Sequence, residues 1–371
     1  MGNSHPVTAN DMYTVTQLYL IYSGLFFAAL VFSLLINSVF MRFARTLGIR
    51  EQEPTMVRWS SSSKPALGGI GFFIVFLVCF ALHGVIFPGL LMDALRPELL
   101  GLLAATSLGF LMGLADDAYN TRPLLKFVVQ LMCGGVLILT GTSISVFDAQ
   151  WANVLITLLW VVGMMNSINM LDNMDGITTV VSISILATAI LVMLLLGPVE
   201  PVFLVLMIGT TSALCGFLFF NWNPSRMFMG DTGSQFLGVF LAFVGIRFFW
   251  NMQSAMGAIE PWRQVTATAI VFLLPLVDTT IVSINRIAKG SSPFVGGRDH
   301  TTHHLSYAGL SDGQVALTFI GVSLLNAFLA LSICLFIPVW ENIHTMAFVM
   351  YSAAVFGTLF VLTRRTHPPR A

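Results

Sequence analysis

The chain has 371 residues, of which 56% are apolar and only 9% charged, and its mean hydropathy is +0.86. A water-soluble domain of this length would carry about a quarter charged residues, so most of this surface must face something other than water. Seventeen basic residues balance seventeen acidic ones, which leaves no basic footprint for nucleic acid. The four cysteines, Cys79, Cys133, Cys215 and Cys334, all lie in apolar runs far apart in sequence. They read as small buried apolar residues, with no disulfide framework or zinc site.

In chain order, the first 16 residues are mostly polar and lack a basic leader region. The apolar run that follows is too long for a signal peptide and reads as an uncleaved first span. A spanning helix needs roughly 20 apolar residues. Eleven segments qualify: 17–40, 67–88, 99–115, 125–141, 152–169, 177–196, 202–220, 233–250, 265–286, 315–337 and 345–363. The expected fold is therefore all-α, a polytopic transmembrane helical bundle forming one domain over residues 1–371. Its two long loops are 41–66, which holds the run Ser60 to Ser63, and 287–314. No internal repeat is evident. The loops after odd-numbered spans, with the C-terminal tail, hold fourteen of the seventeen lysines and arginines. The positive-inside rule then puts the N-terminus outside, and both long loops and the C-terminus in the cytoplasm.

The carboxylates return to that cytoplasmic side. Asp116 and Asp117 follow the third span, Asp172 and Asp175 the fifth, and Asp231 the seventh, while Asp278 lies late in the ninth. Successive intervals from Asp116 are 56, 59 and 47 residues, each about one trip across a bilayer and back. Loop charges at span ends would explain any one aspartate but not the group. An ionised Asp278 inside a span is itself a functional signal. Gathered carboxylates need a cation or a proton between them, and an all-oxygen set suits Mg²⁺ or Mn²⁺.

On a helix Asp116 and Asp117 would point about 100° apart, one towards metal and the other towards an acceptor. Asn169, Asp172 and Asp175 recur every third residue, which a helical turn would set on one face; such side chains read a base edge or ribose hydroxyls. Asp231 opens a span beside Gly230 and Gly233, where free N–H groups would hold phosphate. Phe228 is a candidate to stack on a base, or simply packs. Pro275 breaks or kinks the ninth span. The loop Arg298-Asp299-His300-Thr301-Thr302-His303-His304 suits a pyrophosphate, with imidazoles donating and a guanidinium gripping oxygens.

Together these motifs resemble the polyprenyl-phosphate N-acetylhexosamine-1-phosphate transferase superfamily, glycosyltransferase family 4. The motifs are KPALGGIG at 64–71, GLADD at 113–117, NMLDNMDG at 169–176, NPSRMFMGDTGS at 223–234, PLVD at 275–278 and GRDHTTHHL at 297–305. The resemblance spans about residues 64 to 305. It implies a Mg²⁺-dependent enzyme that takes a UDP-N-acetylhexosamine and a polyprenyl phosphate such as undecaprenyl phosphate. It would release UMP and make a lipid-diphosphate-linked sugar for envelope polysaccharide. It implies the bacterial inner membrane, with the site on the cytoplasmic face. Asp116 and Asp117 match an aspartate pair, one member of which helps deprotonate the lipid phosphate, and Asp117 is also a metal candidate. Asp231 matches a metal ligand. Asn169, Asp172 and Asp175 match a nucleotide and active-site motif, and Phe228 a base-stacking aromatic. His300, His303 and His304 match a loop on donor phosphates, with Lys64 and Arg298 as further substrate contacts. His-Thr-Thr-His-His departs from the three adjacent histidines of phospho-MurNAc-pentapeptide transferases and from the His-x-His-His of the GlcNAc-1-phosphate type. Eleven spans and the Arg298-Asp299 lead-in favour the latter. An ion-coupled transporter is the rival from another class, and a catalytically dead scaffold a third reading. A homodimer is admitted, with nothing in the sequence fixing the oligomeric state.

Overall fold

The computed structural model describes residues 12–47, 64–196, 199–252, 260–293 and 296–368. Most of the loop expected at 41–66 lies outside the described residues, and its first part, to Leu47, is helix. The helices are α1 (Val15–Leu47), α2 (Gly68–Ile86), α3 (Pro97–Tyr119), α4 (Pro123–Leu139), α5 (Gln150–Leu171), α6 (Ile177–Leu196), α7 (Pro201–Asn221), α8 (Gly230–Gly245), α9 (Pro261–Val271), α10 (Leu273–Ala288), α11 (Thr301–Tyr307), α12 (Asp312–Leu335) and α13 (Asn342–Arg365). Helices α3, α4, α7 and α9 each start on a proline, whose missing N–H would be unpaired at a first turn anyway.

The chain is a multi-pass all-helical membrane protein. Among the described residues nine helices are long and apolar enough to span a bilayer, or ten if α9 and α10 count as one bent span. Each of the eleven expected segments coincides with a helix or with that bent pair. The fourth, α4, has only 17 residues and falls short of the others. Tyr19, Phe27 and Leu35 of α1 and Met346 and Met350 of α13 point large apolar side chains outward, as a lipid-facing surface requires. The four cysteines are free, three of them buried.

Helix α8 is the axis of the bundle. From Thr232 to Gly245 every residue is buried, and α8 packs against α2, α3 and α5. A helix apolar all round belongs in the centre of such a bundle. By contrast, Thr363 is the one buried residue noted along α13.

Two sequence expectations need correction, and a third, the break at Pro275, is met. Asp116 and Asp117 do not follow the third span; they occupy the last turns of α3. The break in the ninth span falls at Phe272, with a 78° bend between α9 and α10. Pro275 dictates that position: it lacks the N–H that would pair with the Val271 carbonyl and its ring crowds that carbonyl, so Pro275 falls in the first turn of a new helix. The segment 287–314 is not simply a loop, since it contains α11 and the start of α12.

Candidate active site

The ends of α3 and α5 and the beginnings of α4 and α8 meet at one end of the bundle. Asp116 accepts from the backbone N–H of Thr121 at 2.8 Å and from its hydroxyl. Its second oxygen pairs closely with the Lys126 ammonium. Lys126 also lies 3.3 Å from Asp231. Asn169, at the end of α5, donates to the other Asp231 oxygen and to the Ser234 hydroxyl. Two carboxylates from different helices thus share one cation.

Asp117 is used differently. It accepts from the N–H groups of Asp231 and Thr232 at 3.0 and 2.8 Å and from the Thr232 hydroxyl at 2.6 Å. The first N–H groups of α8, expected to be free for phosphate, are therefore held by this carboxylate, which caps the helix and complements its dipole. Gly230 makes the approach possible: its φ is +76°, and a Cβ there would come within 2.7 Å of Asp117 Oδ2.

A second cluster lies alongside. Asp175 accepts from the Ser225 N–H at 2.9 Å, the Ser225 hydroxyl at 2.7 Å and Asn223 at 3.3 Å. Lys64 donates to the Ser225 hydroxyl, lies 3.7 Å from Asp175 and sits 5.0 Å from the centre of the Phe228 ring. Lys64, Asp175 and Phe228, all expected to touch substrate, thus meet. Backbone bonds from Phe228 to Pro65 and from Gly68 and Gly69 to Phe228 and Met229 join this cluster to the start of α8. The common helical face for Asn169, Asp172 and Asp175 does not form. Helix α5 ends at Leu171, half-buried Asp172 is its C-cap, and Asp175 lies in the turn beyond.

The histidine segment folds as α11. Asp278 accepts from the Thr301 N–H at 2.8 Å and from its hydroxyl at 2.6 Å, and His300 Nδ1 lies 2.8 Å from its second oxygen. The carboxylate accepts the Nδ1–H and so fixes the orientation of the His300 ring, leaving Nε2 as the ring atom for a further partner. His303 Nδ1 accepts from the His300 N–H at 3.4 Å. The Thr366 hydroxyl donates to the Leu362 carbonyl, so it accepts from His304 Nδ1 at 2.7 Å. Burial, followed by the charge of His300, lowers His303 to about 3, and burial also lowers His304. Both are neutral at pH 7, so neither supplies positive charge to a phosphate. Burial alone would raise the Asp299 carboxyl. Paired hydrogen bonds and the charge of Arg286, at 2.8 and 2.7 Å, outweigh that and hold it below the ordinary carboxylate range. Arg298 is exposed beyond the helix start, its carbonyl accepting from the Tyr307 hydroxyl at 3.0 Å.

Lys126, Thr121, Thr232 and Ser225 are the site residues that sequence reasoning missed. A lysine four residues into an apolar helix, followed by Gln130 one turn later, is the signal that could have found the first of them.

Among the described residues no three His, Cys, Asp or Glu side chains are already gathered as a metal site. The donor chemistry nonetheless fits a hard divalent ion. Asp116 and Asp231 converge on a single cation, the Lys126 ammonium, and offer only oxygen. Asp117, expected as a ligand, faces α8 instead.

An all-helical membrane bundle with carboxylates gathered at one end and a cation between them defines the class: a polytopic membrane protein with an acidic active-site layout. Residues 99–249 match the glycosyl transferase family 4 model, in agreement with the resemblance carried by the motifs. The chain is 26% identical to a probable undecaprenyl-phosphate N-acetylglucosaminyl 1-phosphate transferase of Bacillus subtilis, over 91% of this chain and 87% of that one. It is 29% identical to a decaprenyl-phosphate N-acetylglucosaminephosphotransferase of Mycolicibacterium smegmatis, over 68% and 67%. It is 27% identical to a phospho-N-acetylmuramoyl-pentapeptide-transferase of Bacillus cytotoxicus, over 84% and 96%.

Proposed function

We propose that this chain transfers N-acetylglucosamine-1-phosphate from UDP-N-acetylglucosamine to a polyprenyl phosphate, releasing UMP. The reading rests on one observation above all: Asp116, Asp117, Lys126, Asn169 and Asp231, drawn from four helices, meet at one end of the bundle. The names of the relatives, two of which are N-acetylglucosamine-1-phosphate transferases, point the same way. In the reaction an oxygen of the lipid phosphate attacks the donor phosphorus next to the sugar. The bond from that phosphorus to the oxygen bridging to UMP breaks, and UMP carries the electron pair away. Positioning and charge stabilisation supply most of the acceleration in such transfers.

Lys126 bridges Asp116 and Asp231 and holds them close. Asn169 orients Asp231, and Asp117 fixes the start of α8, so the acidic groups are set before substrate arrives. Lys64, Asp175 and Phe228 form the nucleotide side, with Lys64 leaving the ring face when a base stacks there. His300, oriented by Asp278, presents Nε2 to the donor phosphates, and Arg298 supplies the positive charge that His303 and His304 lack. Asp231 and Asp116 would hold Mg²⁺, which would neutralise charge on the phosphates. The lysine and arginine distribution supports a cytoplasmic site in a bacterial inner membrane.

A second reading, phospho-MurNAc-pentapeptide transfer, is favoured by the relative covered over 96% of its length. A transporter is disfavoured because the carboxylates gather at one end of the bundle rather than at mid-depth. Purified protein with Mg²⁺, undecaprenyl phosphate and separate UDP-sugars separates these readings. UMP release with UDP-N-acetylglucosamine supports the proposal; release only with UDP-MurNAc-pentapeptide, or no release with any sugar nucleotide, overturns it.

A further inference from the structure

One turn beneath the acidic tier lies a second polar tier. Gln130 Nε2 donates to Gln235 Oε1 at 3.2 Å, and Asn166 Nδ2 donates to Gln130 Oε1 and to the Val162 carbonyl, each at 2.8 Å. Gln130 and Gln235 are 2% and 1% exposed. Each member stands one helical turn deeper than a site residue on the same helix: Gln130 below Lys126 on α4, Gln235 below Asp231 on α8, Asn166 below Asn169 on α5. The spacings of four, four and three residues put both tiers on the same helix faces.

Burying amides in the apolar interior is costly, and leucines of similar volume would fill that space without the penalty. What leucine lacks is direction. Helix α4 packs chiefly on α3 and α5, and much of it faces outward, with Leu124 72% and Leu139 87% exposed. Its reach to α8 is made by long side chains, Lys126 to Asp231 in the upper tier and Gln130 to Gln235 in the lower. Apolar contacts do not fix axial register along such a gap; a hydrogen bond between amides on facing helices does.

We propose that Gln130, Asn166 and Gln235 are positioning residues that set the register of α4 against α8 and α5, and so hold Lys126 between Asp116 and Asp231. The role deepens the transfer reading and rests on it for its catalytic meaning, but the position of Lys126 is measurable without turnover.

The test is the double variant Gln130→Leu/Gln235→Leu. It removes both partners of the central bond, and Asn166 keeps the Val162 carbonyl, so no new buried orphan arises on that pair and folding is retained. The first readout is the labelling rate of Lys126 by a water-soluble amine reagent, followed by mass spectrometry. It is expected to rise about fivefold, the equivalent of one lost hydrogen bond. The second is kinetics. Turnover is expected to fall about tenfold, with KM for the sugar nucleotide within about twofold, because Lys64, Asp175 and Phe228 are untouched. Each single variant is expected to lose nearly as much as the pair, since each breaks the Gln130–Gln235 bond, and Gln130→Leu also removes the acceptor of the Asn166 amide. Unchanged Lys126 labelling overturns the inference, and so does a turnover loss matched by an equal fall in thermal midpoint. Raised labelling in the double variant, where the wild-type chain releases no UMP, upholds the positioning role and overturns the transfer reading alone. If the double variant does not fold, Gln130→Asn, one methylene too short to span the gap, is subject to the same labelling criterion.

Discussion

Replacing Lys126 by methionine isolates the electrostatic core of the site. Methionine keeps the apolar stem and removes the ammonium that Asp116 and Asp231 share. At the 3.3 Å separation from Asp231, a charge pair at an effective dielectric constant near 20 is worth about 5 kcal/mol before screening. The two side chains are 24% and 30% exposed, so water recovers part of that. A net loss of about 3 kcal/mol is expected, at the low end for removing one partner of a buried pair. In detergent this should lower the thermal midpoint by roughly 5 °C. UMP release should fall at least about 100-fold. Adding Asp231→Asn to Lys126→Met removes one of the stranded charges and should recover about half of the midpoint loss without restoring turnover. A Lys126→Met protein with a midpoint within about 1 °C of wild type would refute the shared-cation reasoning.

Asp117→Asn turns an amide NH₂ towards the N–H groups that Asp117 now accepts. It should destabilise the chain by about 2 kcal/mol and lower turnover about 100-fold, read by thermal unfolding and UMP release. Gly113→Ala would set a Cβ 2.2 Å from the Asp231 carbonyl oxygen. It should push α3 from α8 and cost about 2 kcal/mol or more with near-complete loss of activity, whereas Gly135→Ala, which meets nothing within 4 Å, should cost under about 0.5 kcal/mol. His303 titrates at about 3 when folded against 6.5 unfolded. The unfolded chain therefore binds the extra proton between those values, and stability falls as pH drops below about 6.5, by up to about 1.4 kcal/mol per pH unit. Midpoints measured from pH 7.5 to 5.5 should decline for wild type and less steeply for His303→Gln; His304, lowered in the same direction, leaves a residual slope. Asp278→Asn should weaken the hold on His300 Nδ1 and change the pH profile of turnover while KM for polyprenyl phosphate stays within about twofold.

The helical architecture was legible because it follows from the length of apolar runs, and the convergence of the carboxylates because each interval is a return trip across a bilayer. What each carboxylate touches was not legible. Adjacent Asp116 and Asp117 look equivalent in sequence, yet one meets Lys126 and the other the α8 backbone, a division set by how α3 crosses α8. Lys126 counted only as a topological charge, because nothing local ties it to Asp231, 105 residues away. The three-residue spacing of Asn169, Asp172 and Asp175 implied a shared face only if the helix continued. It stops at Leu171, and Gly176 follows in the left-handed region. Pro275 announced a break, but the break falls on the residues whose carbonyl its ring would crowd. The histidines were read as phosphate grips from their number, whereas burial leaves His303 and His304 neutral and assigns orientation of His300 to Asp278.

The most direct measurement uses UDP-N-acetylglucosamine labelled with ³²P at the phosphorus next to the sugar, with undecaprenyl phosphate and Mg²⁺. The label is expected to move into the lipid phase together with the sugar in wild type, and to stay with the water-soluble nucleotide in Asp231→Asn. Sugar reaching the lipid while the label remains in UDP, or label moving equally in Asp231→Asn, would contradict sugar-1-phosphate transfer at this cluster.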